Sequence, residues 1–322
     1  MKVHTVTGEI DTSELGYTLI HEHAVTCCDW SMRMCLRKQF CEEERLLEMA
    51  VTQLGKAYAA GIRTIVDGTP INLGRDIRLI KRASELSKVR VIVSSGFYHQ
   101  EDPWLVWKPK EEIYDYLAYE CAHGLEETSI LPGIMKCAVD YRGMTSYILK
   151  MLGITADAAK KYRLPVFCHT IPELKQGGAV LDIMQEHGVP LNRVVAGHSG
   201  DVDDIEYLES LLQRGCYVGL DRFGTVTATP GTTLERRTDT LIRLCKDGWE
   251  KQLLISHDYA PYTGFVPSWK EACTNEALEN PVNFTYFEKY AVPMLLEKGL
   301  PIDTIRRITN QNPRNYFEGI SL

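Results

Sequence analysis

Two histidines close the stretch YTLIHEHA at residues 17–24, directly after a short β-like run. Side chains alternate across a strand, so His21 and His23 should project to one side, inward, and Glu22 to the other, toward the outer helices. Two imidazoles at that spacing can hold one cation. Other apolar runs carry their polar residues in the same place: Asp67, Lys136, His169, His198, Asp221 and Asp258 each lie at or near the C-terminal end of one. A single strand-end histidine is commonly a hydrogen-bonded structural residue. Four histidines, a lysine and an aspartate buried together would cost several kcal/mol of desolvation, so either they pair among themselves or a cation organises them. The cation better explains the coincidence. Imidazole with carboxylate, and no required thiolate, suits Zn²⁺, Mn²⁺, Co²⁺ or Fe²⁺ without selecting among them.

The elements that must position these residues are legible as a repeat of strand and helix. Eight short apolar runs occur at Tyr17–His21, Ile62–Asp67, Val89–Ser95, Gly133–Ala138, Pro165–His169, Arg193–His198, Cys216–Asp221 and Leu253–Asp258. Helical periodicity fills segments between and after them, among them Glu42–Ala60, Arg75–Ser87, Lys110–His123, Val180–Glu186, Asp203–Gln213, Thr233–Asp247 and Phe284–Glu297. Buried strands alternating with helices predict a parallel α/β sheet, and eight of them predict a closed (β/α)8 TIM barrel. No Gly-rich phosphate loop follows any strand, which argues against an open dinucleotide-binding sheet. The segment before the first strand reads as a short N-terminal hairpin and Pro301–Phe317 as a closing helical pair. Without linker or internal repeat, residues 1–322 are expected to form one domain. The polar strand ends then fall on the C-terminal rim, where a barrel builds its active site.

Composition narrows the function classes. A chain of 322 residues with 44% hydrophobic and 25% charged residues can bury a large core, and its net charge of −7 comes with no basic cluster for nucleic acid. The start, MKVHTVTGEIDTSELG, lacks the pattern of a signal peptide, and no window has the length and apolarity of a membrane helix, so a cytoplasmic location away from the membrane is expected. Ten cysteines spread unevenly through so long a chain read as reduced, buried small residues. Cys27, Cys28, Cys35 and Cys41 cluster locally but form no CxxC pair, which disfavours a structural zinc site there. His4, His123, His187 and His257 fit structural roles, and His99 falls in a rim loop within reach of a substrate. Glu42–Arg45 reads as a solvated first turn, and Tyr286, Phe287 and Tyr290 as one packed helix face.

An ordered series of motifs resembles the phosphotriesterase family of the amidohydrolase superfamily, and within it the phosphotriesterase-like lactonases. The series is TLIHEH at 18–23, NLGRDI at 72–77, GFY at 96–98, GIMK at 133–136, PVFCHT at 165–170, AGHSGDVDDIEYL at 196–208, GLDRFG at 219–224 and LLISHDY at 253–259. It spans nearly the whole chain. The resemblance implies two divalent metal ions, zinc foremost with manganese, cobalt or iron as alternatives. His21, His23 and Asp258 would hold the more buried ion, His169 and His198 the other, and Lys136, carboxylated by CO₂, would bridge them. It also implies that Asp258 handles the proton of the attacking hydroxide, with Tyr98 and Arg222 beside the reacting oxygen and leaving group. A rim salt bridge is the competing reading of Arg222, and Asp67 reads as structural. Family members are commonly homodimers, so a homodimer acting on a small-molecule substrate is expected.

Substrate choice rests on the loops. GLDRFG followed by SHDY matches the lactonase pattern better than the phosphotriesterase one. The stretch Ala260–Pro281, with Tyr262, Phe265 and Trp269, would face the substrate, and Arg33, Arg37 and Lys38 in the loop at 27–40 would either favour an anionic one or be solvated. The first expectation is a hydrolase of a lactone or related carboxylic ester with weak phosphotriesterase activity. The alternatives are an amide or N-acyl hydrolase of the same superfamily and a non-catalytic metal-binding barrel.

Overall fold

A computed structural model describes residues 1–26, 43–225, 232–262 and 282–320. The cysteine cluster at 27–41, the cations Arg33, Arg37 and Lys38, and Phe265 and Trp269 lie outside the described residues. Two short strands, β1 (Lys2–Thr5) and β2 (Gly8–Asp11), pair antiparallel as the expected hairpin. Eight parallel strands follow: β3 (Tyr17–Glu22), β4 (Ile62–Asp67), β5 (Arg90–Gly96), β6 (Ile134–Ala138), β7 (Val166–His169), β8 (Val194–Ala196), β9 (Tyr217–Leu220) and β10 (Leu253–Ile255). They are ordered in space as in sequence and wrap into a (β/α)8 TIM barrel.

One side chain from each strand meets in the middle: Ile20, Val66, Ile92, Ile134, Phe167, Val195, Tyr217 and Leu254 belong to one cluster. Tyr316 and Phe317 from the C-terminal helix and Val3 and Leu15 from the N-terminal segment join it and close the lower end. The outward residues of the same strands pack against the helices. Four of those helices start on a side-chain cap. Asp76, Thr145, Asp204 and Thr233 accept from the backbone N–H three residues on, each stabilising its helix by about 1 kcal/mol. One of them, Ser146–Tyr162, is absent from the segments picked out by periodicity, because ten of its residues, spread over more than one face, are buried.

The closing segment differs from the expected helical pair. Residues 302–318 form one continuous helical run, with a wider π turn at Arg307–Gln311 between two α segments. A second π turn spans Phe287–Ala291. Each is followed two residues later by a proline, Pro313 or Pro293, which has no N–H to donate and would crowd the carbonyl four residues back. Widening the turn before it absorbs that defect without a break. Tyr286 and Phe287 are buried and Tyr286 stacks beside Tyr290 with centroids 4.8 Å apart, so the aromatic face packs as read from sequence.

The first and last strands meet without a regular ladder. Beyond β10, Asp258 donates its N–H to His21 O at 3.2 Å and His23 donates to Tyr259 O at 2.9 Å, while the His21 N–H reaches Ser256 Oγ at 2.9 Å. Glu22 completes the seam. Its carboxylate is fully buried and accepts from Ser256 Oγ, His257 N, His257 Nδ1 and Tyr259 N at 2.7–3.0 Å. Glu22 therefore turns away from the side of His21 and His23, as alternation predicts, and ties the barrel closed through His257, whose other ring nitrogen accepts from Phe287 N of an outer helix. No helix among the described residues is long and apolar enough to cross a membrane.

Candidate active site

The sequence of β3 brings His21 inward only with local help. Ile20 sits in the central cluster, so unbroken alternation would turn His21 away from it. A register shift between Leu19 and Glu22 breaks the alternation, as a bulge does. The His21 ring then rests 4.1 Å from the Phe167 ring, with Lys136 Nζ 4.3 Å from the same ring. Phe167 is the floor of the site. Gly68, just past β4, leaves room for this arrangement: a Cβ there would lie 2.6 Å from His21 Cδ2.

The other groups arrive from the ends of β6 to β10. Lys136 is the middle residue of β6 and His169 ends β7, whereas His198 and Asp258 lie two and three residues past their strands, in left-handed backbone with φ of 61° and 54°. Such conformations cost free energy in a residue with a Cβ and are held only where the surroundings demand them. Here they turn both side chains into the rim.

Each of the four imidazoles has an outer partner and an inner nitrogen. His21 Nδ1 lies 2.7 Å from Asp221 Oδ2, His23 Nδ1 2.7 Å from Thr69 Oγ1, and His169 Nε2 3.2 Å from Asp140 Oδ2. His198 is tied through its backbone N–H to Asp221 Oδ1, and its buried Nδ1 sits 3.2 Å from Asp221 Oδ2 without a hydrogen bond. The remaining nitrogens converge. His21 Nε2 and His23 Nε2 lie 3.5 and 3.1 Å from Asp258 Oδ1, Lys136 Nζ lies 3.0 Å from His21 Nε2, and His169 Nδ1 and His198 Nε2 face each other at 2.7 Å. His21, His198 and Asp258 offer ligand atoms all within 4.8 Å of one another, so the two expected ligand sets adjoin. Buried imidazoles, three of them with the outer nitrogen engaged, beside a carboxylate and no thiolate, fit divalent cations of the zinc type.

Charge in the site follows from burial. Burial, with Lys136 beside it, lowers the pKa of His21 to about 3, and burial together with His198 holds His169 well below the usual histidine range. Neutral imidazoles of this kind are ready ligands. Burial also lowers Lys136 to about 8 against the pull of Asp258 and Asp221. The carboxylates go the other way. Burial would raise Asp221 and Asp258, but the neighbouring imidazoles, and Arg222 for Asp258, hold both well below the usual carboxylate range.

Arg222 lies across the rim in the salt bridge that is its competing reading, with Asp258 as one of the partners. Its Nε donates to Asp258 Oδ2 and its Nη1 to Asp201 Oδ2, each at 2.8 Å. Asp201 is in turn held by Arg237 at 2.7 Å. Tyr98 packs edge-on to His169 with centroids 5.1 Å apart, and Asn72 grips its backbone, accepting from Tyr98 N at 2.7 Å and donating to Tyr98 O at 3.3 Å. Asp67 accepts from Ala24 N and Thr69 N and is structural, as expected. Sequence reading gave no role to Asp221, Asp140, Thr69 or Asp201. Asp221 carried a usable signal as a strand-end acid, and Asp201 lies three residues after His198 within a quoted motif.

The chain is 32% identical over 326 residues to the phosphotriesterase homology protein of Mycobacterium tuberculosis, covering 98% of both chains. It is 28% identical over 313 residues to the aryldialkylphosphatase of Saccharolobus solfataricus, covering 96% of both. It is 25% identical over 353 residues to the human N-acetyltaurine hydrolase, covering 98% of this chain and 97% of that one. The sequence pattern of the phosphotriesterase family matches residues 1–317, and the chain belongs to that family.

Proposed function

We propose that this phosphotriesterase-family hydrolase opens a lactone or a related carboxylic ester with two divalent cations, and cleaves organophosphate triesters as a side reaction. The observation that carries this reading is the meeting of the His21 and His23 inner nitrogens with Asp258 and Lys136, beside the facing inner nitrogens of His169 and His198, with Arg222 bound to the other oxygen of Asp258. Two cations held by His21, His23 and Asp258 and by His169 and His198 would supply Lewis acidity toward the scissile group and toward water.

The side chains do the rest. Lys136 at about 8 keeps a neutral amine fraction near neutral pH. Addition of that amine to CO₂ would form an N–C bond, release a proton and leave an anionic carbamate, which Lys136 would contribute to holding the cations. Asp258 stays ionised between His23 and Arg222 and accepts the proton of the attacking water. Arg222, fixed by Asp201 on its far side, keeps that carboxylate in place and stabilises negative charge developing beside it. Tyr98 flanks the His169 side, where a leaving group departs.

The human relative named for N-acetyltaurine favours a second reading, an N-acyl hydrolase with the same site. A panel of lactones, aryl esters, N-acyl amino acids and a phosphotriester, run on chain reconstituted with Zn²⁺, Mn²⁺ or Co²⁺, separates the two. Lactones should turn over best, and activity should vanish on chelation and return with added cation. Preference for N-acyl substrates would install the second reading, and inactivity on the whole panel would overturn both.

A further inference from the structure

Asp140 lies two residues beyond β6 and touches no other strand-end acid. Its Oδ2 is 3.2 Å from His169 Nε2 and 3.3 Å from His99 Nε2, and its Oδ1 accepts from Tyr141 N at 2.6 Å. The backbone around it is fixed independently. Asp140 O accepts from Gln176 Nε2 at 2.9 Å, the same amide's Oε1 accepts from Ile171 N at 3.0 Å, and Val139 N donates to His169 O at 2.9 Å. The end of β6 and the end of β7 are thus cross-linked at three points around one carboxylate–imidazole contact.

We propose that Asp140 is a positioning residue for the His169–His198 half of the site: it keeps the His169 proton on Nε2 and leaves Nδ1 as a lone pair for the second cation. The inference rests on the two-cation reading above. A carboxylate offers only lone pairs, so the imidazole nitrogen that faces it must carry hydrogen. A neutral imidazole has one N–H, so its other nitrogen is then an acceptor, and that nitrogen is the one facing His198 at 2.7 Å. His99 shares Oδ2 through its Nε2 at 3.3 Å, with its ring stacked 6.2 Å from that of His169.

Tautomer control and simple support differ in which substitution at Asp140 does more harm. In Asp140→Asn the oxygen remains on Tyr141 N, so the amide NH₂ faces His169 Nε2 and drives its proton to Nδ1, where the cation must bind. In Asp140→Ala the contact is lost but no donor replaces it. Asparagine, the closer isostere, should therefore do more harm than alanine.

The test is titration of the cation-free full-length chain with Co²⁺ alone, following calorimetry and the visible spectrum, with circular dichroism to confirm that each variant is folded. Wild type should take up two ions. Asp140→Asn should bind the first as wild type does and the second roughly 10–100-fold more weakly, the range expected for loss of a group that orients a ligand, and Asp140→Ala should fall between. Unchanged second-ion affinity in Asp140→Asn, or alanine weaker than asparagine, overturns the proposal. Wild type binding fewer than two ions instead overturns the two-cation reading, and the proposal with it.

Discussion

The two ends of the barrel bury polar groups by opposite rules. At the C-terminal rim, Asp221 and Asp258 are buried among imidazoles and held ionised despite burial. At the N-terminal end, Tyr217, Tyr316, Phe317, Val3 and Leu15 fill the space with apolar and aromatic surface. Glu288, which accepts from the hydroxyl of Tyr17 at the start of β3, has no cation against it among the described residues, and burial pushes its carboxyl up to about 7. A carboxylate's charge is set by its neighbours more than by its depth. The rim spends free energy on held charge and left-handed backbone, and the filled end stabilises the frame that holds it.

The contrast is broken most sharply by Asp258→Asn. It removes the proton acceptor while leaving ligand atoms nearby, so kcat/KM on the best substrate should fall about 10²–10⁴-fold with the fold intact by circular dichroism. Full retained activity would put the chemistry elsewhere. At the opposite end, Tyr316→Ala should lower stability by about 3–5 kcal/mol in urea denaturation, as loss of a buried aromatic ring does, while each folded chain binds cations as before. Loss of cation binding in folded Tyr316→Ala would mean that the two ends are not separable.

Glu288→Gln sharpens the comparison with the smallest effect. In the folded chain this carboxyl holds its proton up to about pH 7 and in the unfolded chain only to 4.5. The native state thus binds more protons between those values, so wild-type stability falls as pH rises through that window. The glutamine variant should match wild type near pH 4.5 and exceed it increasingly toward pH 7 and above. Parallel stability curves for the two proteins across that range would show that Glu288 is not raised.

The barrel was legible because each strand is a compact β-branched run, as in IRTIVD and RVIVSSG, followed by a turn signal. The histidines, Lys136 and Asp258 were legible because they interrupt apolar runs at one end. What escaped is long-range. Asp221 lies 200 residues from the His21 it orients, and Asp140 is 29 residues from His169; both pairings follow from strand register, which spacing along the chain does not display. Period-two alternation kept Glu22 off the side of His21 and His23, but its partners Ser256, His257 and Tyr259 at the far end of the chain follow only from closure of the barrel.

Glu22 stands between the two histidines at the start of the barrel and binds Ser256, His257 and Tyr259 at its end. The order of folding events follows from that position. His23 and Asp258 come within 3.1 Å only when the first and eighth strands have joined, so an intermediate lacking the last strand has half a ligand set and a stranded carboxylate. On the proposed two-cation reading, the first ligand set is complete only at the final closure, and uptake of an ion would report a finished barrel.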